Sequence, residues 1–224
     1  MKNICIILAR GGSKSIPDKN IVDFLGKPLI SYSISNSRDS KFIDEVHVSS
    51  DSDAILRISE RHGSKVIKRP DDISGDTATS ESALKHAIQL LGSKNINFVL
   101  FLQPTSPLRE VKDIDRAVEK FNKQNLDSLF SAARMRDMFI WEDRSGELKS
   151  YNYDYKNRKR RQDIDSQFIE NGSFYIFKPE ILLKSGNRLG GKIGYYLMEE
   201  WKQHEIDSPD DLLLCEYLYK RKLQ

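Results

Sequence analysis

Short apolar runs of strand length alternate, over the first half of the chain, with segments whose apolar residues recur at helical spacing. That pattern predicts a parallel sheet covered by helices on both faces. Residues 3–9 open it as a near-continuous run of Ile, Cys and Leu. Pro28 then begins a helix carrying Leu29, Ile30, Tyr32, Ser33 and Ile34, and residues 43–49 form the second strand. Ser52 caps the next helix, whose Ile55, Leu56 and Ile58 lead to Gly63 as its stop. Val66 and Ile67 make a short strand, and Ser80 begins a helix with Ala83, Leu84, Ala87, Ile88 and Leu91 on one face. A buried strand at 98–102, a helix over 111–124 and a strand at 127–132 complete a β-α repeat of about six strands with right-handed crossovers.

Ligands of such sheets bind beyond the carboxyl ends of the strands. The loop after the first strand, with Asp51, Arg69 and Gln103 that each follow a strand, therefore faces one site. From Arg134 to Gln167 the pattern turns polar and aromatic, with KNRKRRQ at 156–162, and predicts an excursion from the sheet: a protruding hairpin or a dimerisation arm. The chain returns with a strand at 172–178, a helix from Pro179, a Gly-rich loop, a strand at 192–198 and a last helix after Pro209. There is no internal repeat.

A length of 224 residues suits one body with a core of ordinary size. The 36 basic and 33 acidic side chains nearly balance, so nothing calls for a nucleic-acid partner. No apolar run reaches the roughly 20 residues of a membrane span, and the N-terminal run is too short for a secretory signal, so a cytoplasmic protein is expected. Cys5 and Cys215 lack metal or redox spacing and suit reduced core positions.

Four strings carry candidate chemistry. LARGGSKSIPDKN, Leu8 to Asn20, has neither P-loop nor dinucleotide spacing. Its Gly11 and Gly12 still let backbone amides approach an anion, while Arg10, Lys14 and Lys19 supply charge for a polyphosphate. SGDTATSES, from Ser74, is dense in hydroxyls ahead of a helix: Thr79 or Ser80 can cap it, and free amides there can also meet ribose or phosphate. In LQPTSPLR, Gln103 can read a base or sugar edge, and Arg109 can hold an anion or pair with an acid. In HEIDSPDDL, Glu205 and Asp207 stand two apart at the expected end of a strand, where both point to one face and suit Mg²⁺; Ser208 or Asp207 can instead cap the helix.

These strings, with RP before SGDTATS and with ENGSFYIF, occur in an order that resembles the bacterial acylneuraminate cytidylyltransferases, the CMP-sialic acid synthetases, over nearly the whole chain. The resemblance implies a single cytidylyltransferase domain over 1–224, α/β, with a Rossmann-like three-layer nucleotidyltransferase fold and a mostly parallel central sheet. It implies transfer of CMP from CTP to the anomeric hydroxyl of a nine-carbon 2-keto sugar acid, with Mg²⁺ and release of pyrophosphate. Arg10, Ser13, Lys19 and Asn20 match nucleotide-binding and catalytic positions, with Gly11 and Gly12 in the same loop; Arg69 and Ser80 match positions near the cytidine, its ribose or phosphates. Gln103, Arg161 and Tyr175 match sugar-binding positions, and Glu205 and Asp207 the metal-binding pair, Asp207 also acting in catalysis. The resemblance further implies a homodimer whose arms, about 140–167, reach the partner's site.

Three departures from the family's pattern stand out, the first bearing on the metal pair and the other two on the substrate. Glu205 stands where the family writes Asp, residues 135–142 lack a Lys that some sialic-acid enzymes carry, and Arg188 and Leu189 replace a Phe pair. N-acetylneuraminic acid or a relative is therefore the expected acceptor. The alternatives are the eight-carbon 3-deoxy-manno-octulosonate enzyme, which shares fold and chemistry, and a CTP-binding module without turnover. KNRKRRQ lacks the stacking platform of an RNA module.

Overall fold

The chain begins in β1 (Lys2–Leu8), whose apolar run is buried on both faces, and turns through a loop and a small hairpin of β2 (Asp23–Phe24) and β3 (Lys27–Pro28). The computed structural model describes every residue except 136–138, 161–162 and 164–166. Pro28 belongs to this hairpin and precedes α1 (Leu29–Arg38), so the helix starts one residue later than expected. β4 (Glu45–Ser50) and α2 (Asp53–Arg61) follow, with the Ser52 hydroxyl accepting from the Ile55 amide as expected of a cap. Then come β5 (Lys65–Lys68), α3 (Ser80–Leu91), β6 (Ile96–Leu102), α4 (Val111–Lys123) and β7 (Ser128–Arg134).

The excursion contains a hairpin of β8 (Trp141–Arg144) and β9 (Glu147–Ser150), which among the described residues pair only with each other. β10 (Phe168–Phe177), α5 (Pro179–Ser185), β11 (Ile193–Met198) and α6 (Pro209–Leu223) complete the chain. The seven strands of the main sheet run β11-β7-β10-β6-β1-β4-β5. All pair in parallel except β10, which runs antiparallel between β6 and β7. The expected mostly parallel, three-layer α/β sheet is thus observed, with β10 entering its middle rather than extending an edge.

One face packs Cys5, Ile7, Val48, Leu100 and Phe174 against Ile30 and Ile34 of α1, Ile55 of α2 and Val118 and Phe121 of α4. The other sets Ile4, Ile6, Val99, Phe101 and Phe177 against Leu84, Ala87 and Ile88 of α3 and Leu182 of α5. Each fully buried large apolar side chain contributes roughly 1.5–3 kcal/mol. A third cluster of Ile16, Phe24, Leu29, Leu108, Ile206 and Cys215 fastens α6 to the loop after β1. Cys5 and Cys215 are free and buried, as expected. Among the described residues no helix is long and apolar enough to cross a membrane.

Candidate active site

The loop after β1 is set by close approach to β4. The Ala9 amide still bonds to Ser49 O at 3.1 Å, and the Gly11 amide donates to Asp51 Oδ1 at 2.9 Å. A Cβ on Gly11 would stand 3.2 Å from Ser52 Cβ and 3.3 Å from Asp51 Oδ2, which explains the glycine. Its amide, expected to face an anion, is engaged by Asp51 instead. Gly12 turns the chain with φ 63°. Asn20, buried, closes the loop by donating from Nδ2 to Arg10 O at 2.9 Å, with Ser13 half-buried between them.

The loop's cations meet an acid that the sequence did not single out. Arg10 Nη1 lies 2.7 Å from Asp76 Oδ1 and Lys14 Nζ 2.6 Å from Asp76 Oδ2. Hydrogen bonds from Lys14 and then Arg10 pull the Asp76 carboxyl down to about 2. The only signal for it was an acid within a string prized for its hydroxyls. Arg69 is buried, donating Nη2 to Ser49 O at 2.6 Å and Nε to Ser49 Oγ at 3.3 Å; burial lowers its pKa while Asp51 opposes. Arg69 therefore braces the ends of β4 and β5 beneath the loop. Of the two candidate caps of α3, Thr79 is the cap, accepting from the Ser82 amide at 3.2 Å, and Ser80 is half-buried in the first turn.

The other half of the mouth is built by a bulge. The register of β10 against β7 shifts between Glu170 and Tyr175, as bulges beside active sites do. Within it Gly172 has φ 65°, and a Cβ there would overlap Glu205 Oε1 and come 2.9 Å from Gln103 Nε2. Gln103 Nε2 donates to Gly172 O at 2.7 Å. Arg109 fits neither of its expected roles. Fully withdrawn beneath the bulge, it donates Nη1 to Ser173 O at 2.6 Å and to Ser173 Oγ at 2.9 Å, and Nη2 to Ser33 Oγ at 2.7 Å. Burial lowers its guanidinium to about 10. Gly172 and Arg109 thus fix the geometry around Gln103 and Glu205.

Glu205 and Asp207 do not end a strand. β11 stops at Met198, a 3-10 turn spans Glu200–Gln203, and the acids lie in the irregular segment before the Ser208 cap of α6. Ile206 is fully buried, its amide bonded to Thr105 O at 2.8 Å, while Asp207 on its far side is exposed and Glu205 lies near enough to feel its charge. The turn is anchored by buried Lys202, which donates to Glu110 Oε2 at 2.6 Å and Asp113 Oδ2 at 2.7 Å. Because Ser208 supplies the cap, the Asp207 carboxylate is left to the site, where Oδ1 accepts from Lys19 Nζ at 2.9 Å. Burial, then repulsion from Asp207, raises the Glu205 carboxyl to about 7, against the opposing pull of Lys19, Ser106 and Arg109. Among the described residues no three His, Cys, Asp or Glu side chains converge as a metal site, so a divalent ion here would rely on this pair and on ligand oxygens.

Tyr175 is only 3% exposed. One face stacks on Phe101 with centroids 5.7 Å apart, Arg188 lies 4.2 Å over the ring, and the hydroxyl donates to Glu170 Oε1. An aromatic ring expected to pack on sugar is therefore already covered on its faces. Arg161 lies outside the described residues.

Residues 4–223 match the sequence model of the family described as Cytidylyltransferase. The pseudaminic acid cytidylyltransferase of Campylobacter jejuni is 35% identical over 229 residues, covering 98% of this chain and 97% of that one. The N-acylneuraminate cytidylyltransferase A of Danio rerio is 36% identical over 215 residues, 94% of this chain and 49% of that protein. In three dimensions the chain superimposes on a CMP:2-keto-3-deoxy-manno-octonic acid synthetase complexed with CTP with a TM-score of 0.75, covering 99% of this chain and 100% of that one; at 13% identity this likeness bears on the fold alone. With a family match over nearly its whole length and an α/β site whose basic loop faces a pair of carboxylates, the chain belongs to the cytidylyltransferase family and is a nucleotidyltransferase enzyme.

Proposed function

We propose that the chain transfers CMP from CTP to the anomeric hydroxyl of a nine-carbon 2-keto sugar acid, of the class that includes pseudaminic and N-acetylneuraminic acids. The acceptor class is supported by the sugar acids that two of its relatives are named for, pseudaminic and N-acylneuraminic acids. The observation that carries the reaction is the meeting of Lys19 with Asp207, beside Glu205, at the edge of a loop whose other cations are Arg10 and Lys14. In the reaction the sugar oxygen forms a bond to the α-phosphorus, the bond from that phosphorus to the bridging oxygen of the β-phosphate breaks, and pyrophosphate leaves with the electron pair. Arg10, Lys14 and Lys19 hold the phosphates and offset the charge growing on the leaving group. A carboxylate of the Glu205–Asp207 pair accepts the hydroxyl proton.

Mg²⁺ suits that pair, because both ligands are hard oxygens and Glu205, disfavoured as an anion by burial and by Asp207, gains most from a neighbouring cation. When bound, the ion supplies Lewis-acid stabilisation of the phosphate charge. The reading includes a homodimer. Its support is the exposure of apolar side chains on edge strand β11, Ile193, Tyr195 and Leu197, with Phe168 of β10 stacked on Tyr195, and of Trp141 and Leu148 on the separate hairpin.

The test is pyrophosphate release from CTP and Mg²⁺ with pseudaminic, legionaminic, N-acetylneuraminic, deaminated neuraminic and 3-deoxy-manno-octulosonic acids side by side. Release with a nine-carbon acid is expected. Exclusive use of the eight-carbon acid would replace the acceptor, and silence with all five, alongside binding of CTP, would leave a nucleotide-binding module. Light scattering on the same protein reads the dimer, and a monomer would remove the arm from any partner's site.

A further inference from the structure

The sheet order divides the mouth of the site. The phosphate loop follows β1, Asp51 follows β4 and Arg69 follows β5, so the groups suited to the nucleotide gather on one half; β6 and β10 carry the other. Against those two strands, on the face covered by α3 and α5, lies a connected set of polar side chains that the reaction above does not use. Tyr175 of β10 stacks on Phe101 of β6 and donates its hydroxyl to Glu170 Oε1. Arg188 lies over the Tyr175 ring and donates Nη1 to Glu81 Oε1 at 2.5 Å, in the first turn of α3. The Arg188 and Glu81 side chains are withdrawn from water, with 19% and 26% of their surface exposed. Glu170, by contrast, is exposed, two residues before Gly172, and among the described residues its second carboxylate oxygen has no partner.

The charges of Arg188 and Glu81 cancel, so the charge this wall turns outward is that of Glu170. A fixed carboxylate repels the acceptor's own carboxylate and favours neutral O–H or N–H donors. Glu170 is held by Tyr175, and Tyr175 is held in turn by Phe101 and Arg188, the arrangement that makes a contact selective because its direction is set before the ligand arrives. We propose that Glu170 is a specificity-determining residue, whose carboxylate accepts a hydrogen bond from a hydroxyl or acylamino N–H on the sugar acid, with Tyr175 as its positioning residue. The inference rests on the acceptor class proposed above.

The test compares kcat/KM of the full-length enzyme for pseudaminic, N-acetylneuraminic and deaminated neuraminic acids in wild type, Glu170→Gln, Glu170→Ala and Tyr175→Phe. In Glu170→Ala the advantage of the wild type's preferred acid over the others is expected to shrink at least about tenfold, the scale of one hydrogen bond to a charged group. KM for CTP should stay within about twofold, since the nucleotide side is untouched. Glu170→Gln, which keeps an acceptor oxygen, retains part of the preference, and Tyr175→Phe shifts it in the same direction by less. An equal fall for all three acids, or none, overturns the proposal and leaves Glu170 a surface residue. Should Glu170→Ala fail to fold by its melting curve, an unchanged preference in Tyr175→Phe overturns it equally. A wild type that turns over none of the three acids removes the acceptor reading itself, and the inference falls with it.

Discussion

Two carboxylates on opposite sides of the same mouth are driven in opposite directions. Asp76, beside the loop after β1, is half exposed and grips Lys14 and Arg10, which hold its carboxyl near 2. Glu205, against the β10 bulge, is mostly buried next to another acid and has its carboxyl pushed to about 7. The difference reflects two ways of building a site. The loop side carries exposed charges whose mutual pairs are weak in water and readily exchanged for those of a ligand. The bulge side carries geometry: Gln103, Gly172, Ser173 and Arg109 are tied by short bonds shielded from solvent, and they put Glu205 where its ionisation depends on what comes next to it. Groups of one kind whose environments push them apart mark different tasks.

The bulge side should break most severely, at Gly172. An alanine there must adopt φ near 65° and place its methyl where Glu205 Oε1 now lies. The backbone strain is about 1–2 kcal/mol, but displacement matters more: moving Glu205 and Gln103 by about 1 Å costs on the order of 100-fold in turnover. Gly172→Ala is therefore expected to lose about that much kcat while its melting temperature falls only modestly. A normal kcat would show that the bulge does not position the reacting groups.

A smaller effect follows from Glu205 itself. Its folded pKa of about 7 lies above the ordinary 4.5, so between those values the folded chain holds a proton that the unfolded chain has lost. Stability from this group is fully present below about pH 4.5 and is lost as pH rises towards 7. Glu205→Gln has no such proton to lose. In metal-free protein the melting temperature of Glu205→Gln minus that of wild type should rise from pH 5 to pH 8, other titrating groups cancelling in the difference. A flat difference would remove the buried, repelled carboxyl from the comparison.

How much of this was legible in the sequence also divides between the two sides. The loop declared itself because two glycines and three cations directly after a buried strand have few other uses; in the structure Asn20 closes it and Lys19 reaches Asp207. Its partner Asp76 was hidden, since a pair spanning 66 residues depends on how two loops meet. The bulge side was less visible. Placing β10 antiparallel between β6 and β7 is a matter of topology that local periodicity does not carry, and with it went the roles of Gly172 and Arg109. Tyr175, which the resemblance set against the sugar, is 3% exposed, with its ring on Phe101 and under Arg188; a strand covered on both faces reads as a continuous apolar run, so alternation cannot tell a ring in the core from one at the mouth. Glu205 and Asp207 flank buried Ile206 and come close enough to repel one another, although they precede α6 rather than end a strand.

The smallest effect is expected at Asp76, and its sign discriminates between the two sides of the mouth. If Asp76 only occupies Arg10 and Lys14 until phosphates replace it, Asp76→Asn frees both cations and KM for CTP falls, by about two- to fivefold at low ionic strength, the range of exposed ion pairs. The gain should fade as salt rises past about 0.15 M, where exposed charges are screened over about 8 Å. A structural brace of the kind Arg109 provides would behave in the opposite way: its loss would raise KM and the increase would persist in salt. Measuring KM for CTP at two ionic strengths in this one variant therefore asks whether the loop side holds its charges loosely, ready for exchange, or fixes them as firmly as the bulge fixes Glu205.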